Sequence, residues 1–178
     1  MQFPLEGLKV LDFSRVLAGP FAGRMLSDLG ADVVKIEPPE GDVTRFWGKV
    51  IAHLPGYYHQ QNAGKRSLCV DMKSPEGMEA VRALIPETDV VIEAFTPGVM
   101  ARLGLGYDDL RALNPAIILC SVSGFGQTGP NANRPGYAHI SHAMTGWLGM
   151  QFLHRDPPEA PRGPGIAIGD TTTGLTAF

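Results

Sequence analysis

The sequence predicts an α/β protein with a Rossmann-like, doubly wound, mainly parallel sheet. Three observations carry this. Short apolar runs recur along the chain and are apolar on consecutive positions, as strands covered on both faces are. Helix-forming stretches separate these runs. The first unit, Lys9 to Glu37, is a strand–helix–strand segment of about thirty residues, the size of a right-handed parallel crossover.

Lys9-Val-Leu-Asp-Phe13 reads as the first strand. Helix formers follow from Pro20 to Leu29, and Gly30 supplies the residue that commonly ends a helix. Asp32–Glu37 is the second strand, stopped by Pro38-Pro39. Residues 38–64 hold Pro, Gly, Tyr, His and Gln with no sustained period; so long an irregular connection is uncommon unless it binds something or packs on a partner. Ser67–Asp71 is the third strand. A helix then runs to about Ile85, with Ser74 as N-cap and Pro75 in the first helical position. Asp89–Phe95 is the fourth strand, followed by short helices near Gly98–Leu103 and Tyr107–Leu113, and Ala116–Val122 is the fifth. A Pro/Gly/Asn-rich loop at 124–136 leads to a helix from about His139 to Trp147, and a polar loop covers 153–165. Near the end, Asp170 stands between a glycine-bracketed apolar approach and the first turns of a helix.

With 178 residues the chain can bury roughly 70% of its unfolded surface as one domain. Its 44% apolar and 19% charged composition is globular rather than disordered. Lys and Arg number 15 against 18 Asp and Glu, for a net charge of −3, so no basic excess points to nucleic acid. No apolar run approaches the ~20 residues that span a bilayer, and the N-terminus lacks a signal-peptide pattern. Cys69 and Cys120 fall in apolar strands without metal-type spacing and read as buried free thiols of a reducing compartment. A cytoplasmic protein, or one of an organelle matrix, is expected.

Gly124-Phe-Gly-Gln-Thr-Gly129 matches a dinucleotide fingerprint literally, but Pro130, Asn131, Asn133 and Pro135 follow where a helix should open. It reads as an irregular loop with positive-φ glycines. Three other strand ends matter more, because ligands of open parallel sheets bind at that edge. The first carries Val16, Leu17 and Ala18; the second Val70, Asp71, Met72 and Lys73; the third Ala94, Phe95 and Thr96, with Arg102 beyond. Lys73 precedes a helix N-terminus, where a cation opposes the dipole, so it is either a solvated lysine or the partner of an anion. Arg102 is either a solvated helix residue or a planar fork for a phosphate. His139 and His142 at i, i+3 lack further ligands for a metal. There is no nucleophile elbow and no P-loop.

Leu11–Pro20, Gly30–Pro38, Asn62–Ser67 and Pro164–Phe178 together resemble the class III coenzyme A transferases, a family that also holds acyl-CoA racemases and carnitine-related CoA transferases. The resemblance covers essentially the whole chain but only the first half of a family member. It implies that residues 1–178 are the N-terminal, CoA-binding α/β part of a large domain. A second domain and a C-terminal return segment would lie outside it, and complete chains would interlock as homodimers. It implies CoA transfer from an acyl-CoA to a carboxylic acid, with Asp170 as nucleophile and no tightly bound cofactor. Val16, Leu17, Ala18, Pro38, Val70, Asp71, Met72, Lys73, Ala94, Phe95, Thr96, Arg102 and Tyr137 match coenzyme or active-site positions.

Departures from the family pattern are informative. Ala94 replaces a usual Asn, and Pro38 stands where some members carry an Arg. Racemase members hold a His-Asp pair, one of their two proton-transfer bases, where this chain has Tyr137-Ala138. His139 and His142 lie two and five positions further on; at 100° per helical residue neither is expected to point where Tyr137 does. The rival readings are an acyl-CoA racemase or epimerase, and a non-catalytic CoA-binding fragment.

Overall fold

The structure is a computed structural model and describes residues 3–51, 54–153 and 167–178. Seven strands and eight α-helices are defined in it. β1 (Lys9–Asp12), β2 (Asp32–Glu37), β5 (Arg66–Cys69), β6 (Val90–Glu93) and β7 (Ile118–Ser121) form one sheet in the order β5-β2-β1-β6-β7. Every pairing in it is parallel, with Val10 opposite both Val33 and Val90. This is a doubly wound sheet, as the apolar runs predict. β3 (Val50–Ile51) and β4 (Leu54–Pro55) form a small antiparallel pair of their own.

Consecutive apolar residues serve opposite faces of the sheet. Val10, Val33 and Ile92 pack with Leu26 and Ala31, beneath α1 (Ala18–Asp28). Leu11, Phe13, Ile36 and Val91 pack on the other face with Val81 of α3 (Pro75–Leu84) and Leu110 of α5 (Tyr107–Leu113). Burying a side chain of this size contributes roughly 1.5–3 kcal/mol.

Local signals hold where they are strong. The Ser74 hydroxyl accepts the Gly77 N–H at 3.0 Å, and Pro75 occupies the first turn of α3. α1 begins two residues before the proline expected to open it, because Leu17 is its N-cap and first-turn N–H groups need no intrahelical acceptor. The stretch 38–64 is less irregular than its composition: it holds a 3₁₀ turn at Val43–Phe46, the β3–β4 pair and α2 (Gly56–Asn62). The expected helix from His139 to Trp147 is two, α6 (Ala138–Met144) and α7 (Trp147–Leu153), broken at Gly146 with φ +78°. Most of the polar loop expected at 153–165 falls outside the described residues. α4 (Val99–Arg102) and α8 (Ile168–Ala177) complete the set.

Cys69 corrects the expectation of two buried thiols. It is exposed, because β5 is an edge strand with little cover; Cys120 is partly buried.

Candidate active site

The sheet reverses its winding between β1 and β6. β2 and β5 lie on one side of that junction, β7 on the other. The loops leaving β1 and β6 therefore diverge at their C-terminal ends and open a crevice, the usual ligand site of such sheets. A cleft of about 890 Å³ lies there. Of the residues nominated from sequence, Val16, Leu17, Ala18, Ala94, Phe95, Thr96, Tyr137 and Asp170 line it together. Pro38, Val70, Asp71, Met72, Lys73 and Arg102 do not line it; they follow β2 and β5 or sit in α4.

Asp170 reaches the cleft through the packing of α8. That helix starts at Ile168 and caps on Ala167 without a side-chain bond, so Asp170 is its third residue and not its cap. The first intrahelical bond runs from the Thr171 N–H to the Ala167 carbonyl, leaving the N–H groups of Ile168 and Gly169 at the cleft end of the helix. Gly174 lets α8 lie against α1. A Cβ there would stand 2.7 Å from the Ala18 carbonyl oxygen and 2.8 Å from the Phe21 ring. The Asp170 carboxyl is half-buried, and burial pushes it above the ordinary aspartate value. Its own backbone N–H and the nearby His142 pull the other way. His142 is 5% exposed, and neither ring nitrogen has a partner among the described residues.

The other wall is the 124–137 loop. Gly124 and Gly136 meet backbone to backbone with no room for a Cβ on either, which folds the loop back on itself. Gly126 and Gly129 adopt positive φ, as expected of an irregular loop. Tyr137, the N-cap of α6, is 77% exposed beside the cleft. His139, read from sequence as an ordinary helix residue, also lines the cleft. Tyr137 has extended dihedrals (φ −69°, ψ 155°), so helical spacing cannot be counted from it.

Sequence reasoning missed Arg15, Trp47, Tyr57 and Arg134 as lining residues. Trp47 and Tyr57 come from the long 38–64 stretch, their ring centroids 5.7 Å apart. Its length and aromatic content were the available signal. Burial raises the Tyr57 hydroxyl above its ordinary value, with Asp170 adding to the shift.

Charged residues buried under the cleft were also missed. Lys65 Nζ lies 2.7 Å from Asp12 and donates to the Pro20 carbonyl and to Asn62, tying α2 to the start of α1. Burial opposes the Asp12 charge, but Lys65 and Lys35 hold its carboxyl below the ordinary value. Glu37 accepts from Arg45, Tyr58 and Ser67. Burial works against it too, yet these bonds and the Asp42 N–H keep its pKa at about 2.

No group of three or more His, Cys, Asp or Glu among the described residues is placed to hold a metal. None of the described helices is long and apolar enough to cross a membrane.

Comparison with known proteins gives the family. The sequence pattern of CoA-transferase family III matches residues 5–178. Succinate–glutarate CoA-transferase of Agrobacterium fabrum is 46% identical over 180 residues, covering 97% of this chain and 44% of that protein. Human succinyl-CoA:glutarate CoA-transferase is 44% identical over 179 residues, covering 98% and 40%. A crystal structure of a CaiB/BaiF family protein from Brucella suis superposes with a TM-score of 0.90 at 45% identity, over 99% of this chain and 47% of that one. The chain thus spans less than half the length of these relatives. It belongs to CoA-transferase family III.

Proposed function

We propose that the protein carrying this chain transfers CoA from an acyl-CoA donor to a carboxylic acid acceptor, with Asp170 as the covalent nucleophile. The observation that carries this reading is a half-buried carboxylate on the first turn of α8, facing the crevice between the β1 and β6 loops. The Asp170 carboxylate attacks the thioester carbonyl, giving a mixed anhydride and a CoA thiolate. The thiolate attacks the aspartyl carbonyl, releasing the donor acid and leaving an aspartyl-CoA thioester. The acceptor carboxylate displaces CoA from that thioester, and the thiolate then takes the acceptor's acyl group and frees Asp170. Covalent catalysis divides one difficult exchange into easier ones. The N–H groups of Ile168 and Gly169 are the candidate donors to the developing oxyanion.

A dicarboxylate acceptor fits best. Relatives named for succinate and glutarate supply one argument. The cleft supplies another: its lining includes Arg15 and Arg134, a residue type suited to a second carboxylate. The test is incubation with succinyl-CoA and either glutarate or a monocarboxylic acid of equal length, followed by mass spectrometry. A CoA adduct on the Asp170 peptide and glutaryl-CoA as product are expected. A labelled peptide lacking Asp170 would overturn the assignment.

The coenzyme's phosphates are assigned to Lys73 and Arg102, which make no ion pair among the described residues. Losing one well-formed charge-assisted contact costs roughly 1.5–3 kcal/mol. Calorimetry on Lys73→Ala and Arg102→Ala should therefore show CoA affinity falling about tenfold or more, and falling further as salt rises in the wild type. Unchanged affinity in both places the phosphates elsewhere, Arg15 being the first alternative.

One observation favours a second reading. His139 and Asp170 line the same cleft, and an acyl-CoA racemase needs two bases. Deuterium wash-in at the α-carbon of a 2-methylacyl-CoA in heavy water decides between them. Acyl transfer without exchange is expected, since Tyr137 stands where racemase members carry the His of their second base. Rapid exchange with inversion would establish the racemase.

A further inference from the structure

The turn after β1 contains Val16, the one non-glycine residue with positive φ among the described residues, at +71°. A β-branched side chain is rarely found there, since its Cβ crowds the backbone. Such a conformation persists only where the surroundings impose it, and it concentrates at ligand-binding segments. Here the imposing groups are visible. Asp42 Oδ2 accepts the Val16 N–H at 3.2 Å and lies 3.1 Å from Lys35 Nζ. Lys35 Nζ donates to the Ser14 carbonyl at 2.8 Å. Both side chains are 1% exposed. The other carboxylate oxygen of Asp42 takes the Thr44 N–H and hydroxyl, each at 2.9 Å, which fixes its orientation. The pair therefore grips the turn from below at residues 14 and 16, while Val16, Leu17 and Ala18 face the cleft.

We propose that Lys35 and Asp42 are positioning residues that hold the Val16 turn in its strained, ligand-receiving form, acting on ligand affinity through the backbone alone. The proposal takes only the identity of the ligand, coenzyme A, from the CoA-transferase reading. Removing Asp42 alone would strand a buried lysine and endanger folding, so the pair is removed together.

The experiment is a double-mutant cycle on the protein carrying this chain, with CoA binding measured by calorimetry. Lys35→Met/Asp42→Ala should weaken CoA binding about tenfold, because Val16 relaxes out of the left-handed region. Val16→Gly should cost about threefold, the loss of one side-chain contact, since glycine adopts positive φ freely. The decisive variant combines all three substitutions. With glycine at 16 the grip is not needed, so the combination should bind within about twofold of Val16→Gly alone. Additive losses, or wild-type affinity in Lys35→Met/Asp42→Ala, would overturn the proposal. If the wild-type chain binds no CoA, the functional reading fails by itself, and amide exchange at Val16 then decides this one. At least tenfold faster exchange in Lys35→Met/Asp42→Ala supports the grip, and an unchanged rate refutes it.

Discussion

Asp170→Ala should abolish acyl exchange, lowering turnover by on the order of 10⁴-fold or more, the scale seen when a covalent nucleophile is lost. Asp170→Asn should do little better, because an amide of the same shape cannot form the anhydride. Neither change should disturb folding: the residue is half-buried at a helix start, and no buried partner among the described residues depends on it. Thermal unfolding and CoA affinity are therefore the controls, and both should stay close to wild type. Substantial residual turnover in a well-folded Asp170→Ala protein would assign the nucleophile elsewhere. The pH profile gives an independent check. Attack requires the ionised carboxylate, and burial raises the Asp170 pKa, so the acid limb of the rate should lie above the ordinary aspartate value of about 3.9. His142 opposes that shift. His142→Leu should then move the limb to higher pH.

Lys65→Met should cause the largest loss of stability. The substitution leaves Asp12, fully buried, without the ammonium group 2.7 Å away, and breaking one side of a buried pair costs about 3–5 kcal/mol. It also removes the bonds that tie α2 to the first turn of α1. Chemical denaturation at neutral pH measures the effect; a loss below about 1 kcal/mol would mean that the pair holds nothing together. The sign of the pH dependence follows from the Asp12 shift. Its folded pKa is depressed in the wild type, so its contribution is present above the unfolded value of about 3.9 and is lost as pH falls through the lower, folded one. Without Lys65, only Lys35 and Ser14 oppose burial, so the folded Asp12 pKa rises above its wild-type position. The gap between wild type and variant should therefore narrow as the pH falls through the variant's Asp12 pKa. Glu37 behaves like wild-type Asp12: with its pKa held at about 2, its contribution is complete above the ordinary glutamate range and disappears as pH drops through about 2.

Different parts of the candidate site were legible to different degrees. Val16–Ala18 and Ala94–Thr96 were visible because a short apolar strand followed by a helix start marks a strand end, and strand ends are where parallel sheets bind ligands. Asp170 stood out through its neighbours and through family resemblance. Trp47 and Tyr57 were hidden in a stretch without period, where no local pattern says which way an aromatic ring faces. His139 gave no signal of its own, since helical rotation cannot be counted from an N-cap whose dihedrals are extended.

The sequence by itself determined the five strands of the parallel sheet as they follow along the chain, the capped start of α3, and the family. These depend on signals confined to a few neighbouring residues: consecutive apolar positions, a serine before a proline, a proline pair after a strand. Only the tertiary structure decided which strand ends meet. Placing β1 between β2 and β6 brings the loops after Lys9–Asp12 and Val90–Glu93 to one crevice. Packing α8 on α1 through Gly174 then delivers Asp170 to it. The buried charges Asp12, Lys35, Asp42 and Lys65 were equally unreadable as ordinary polar letters in the chain. A charge survives burial only when a partner from a distant segment lies within bonding distance, and that proximity is a property of the folded sheet.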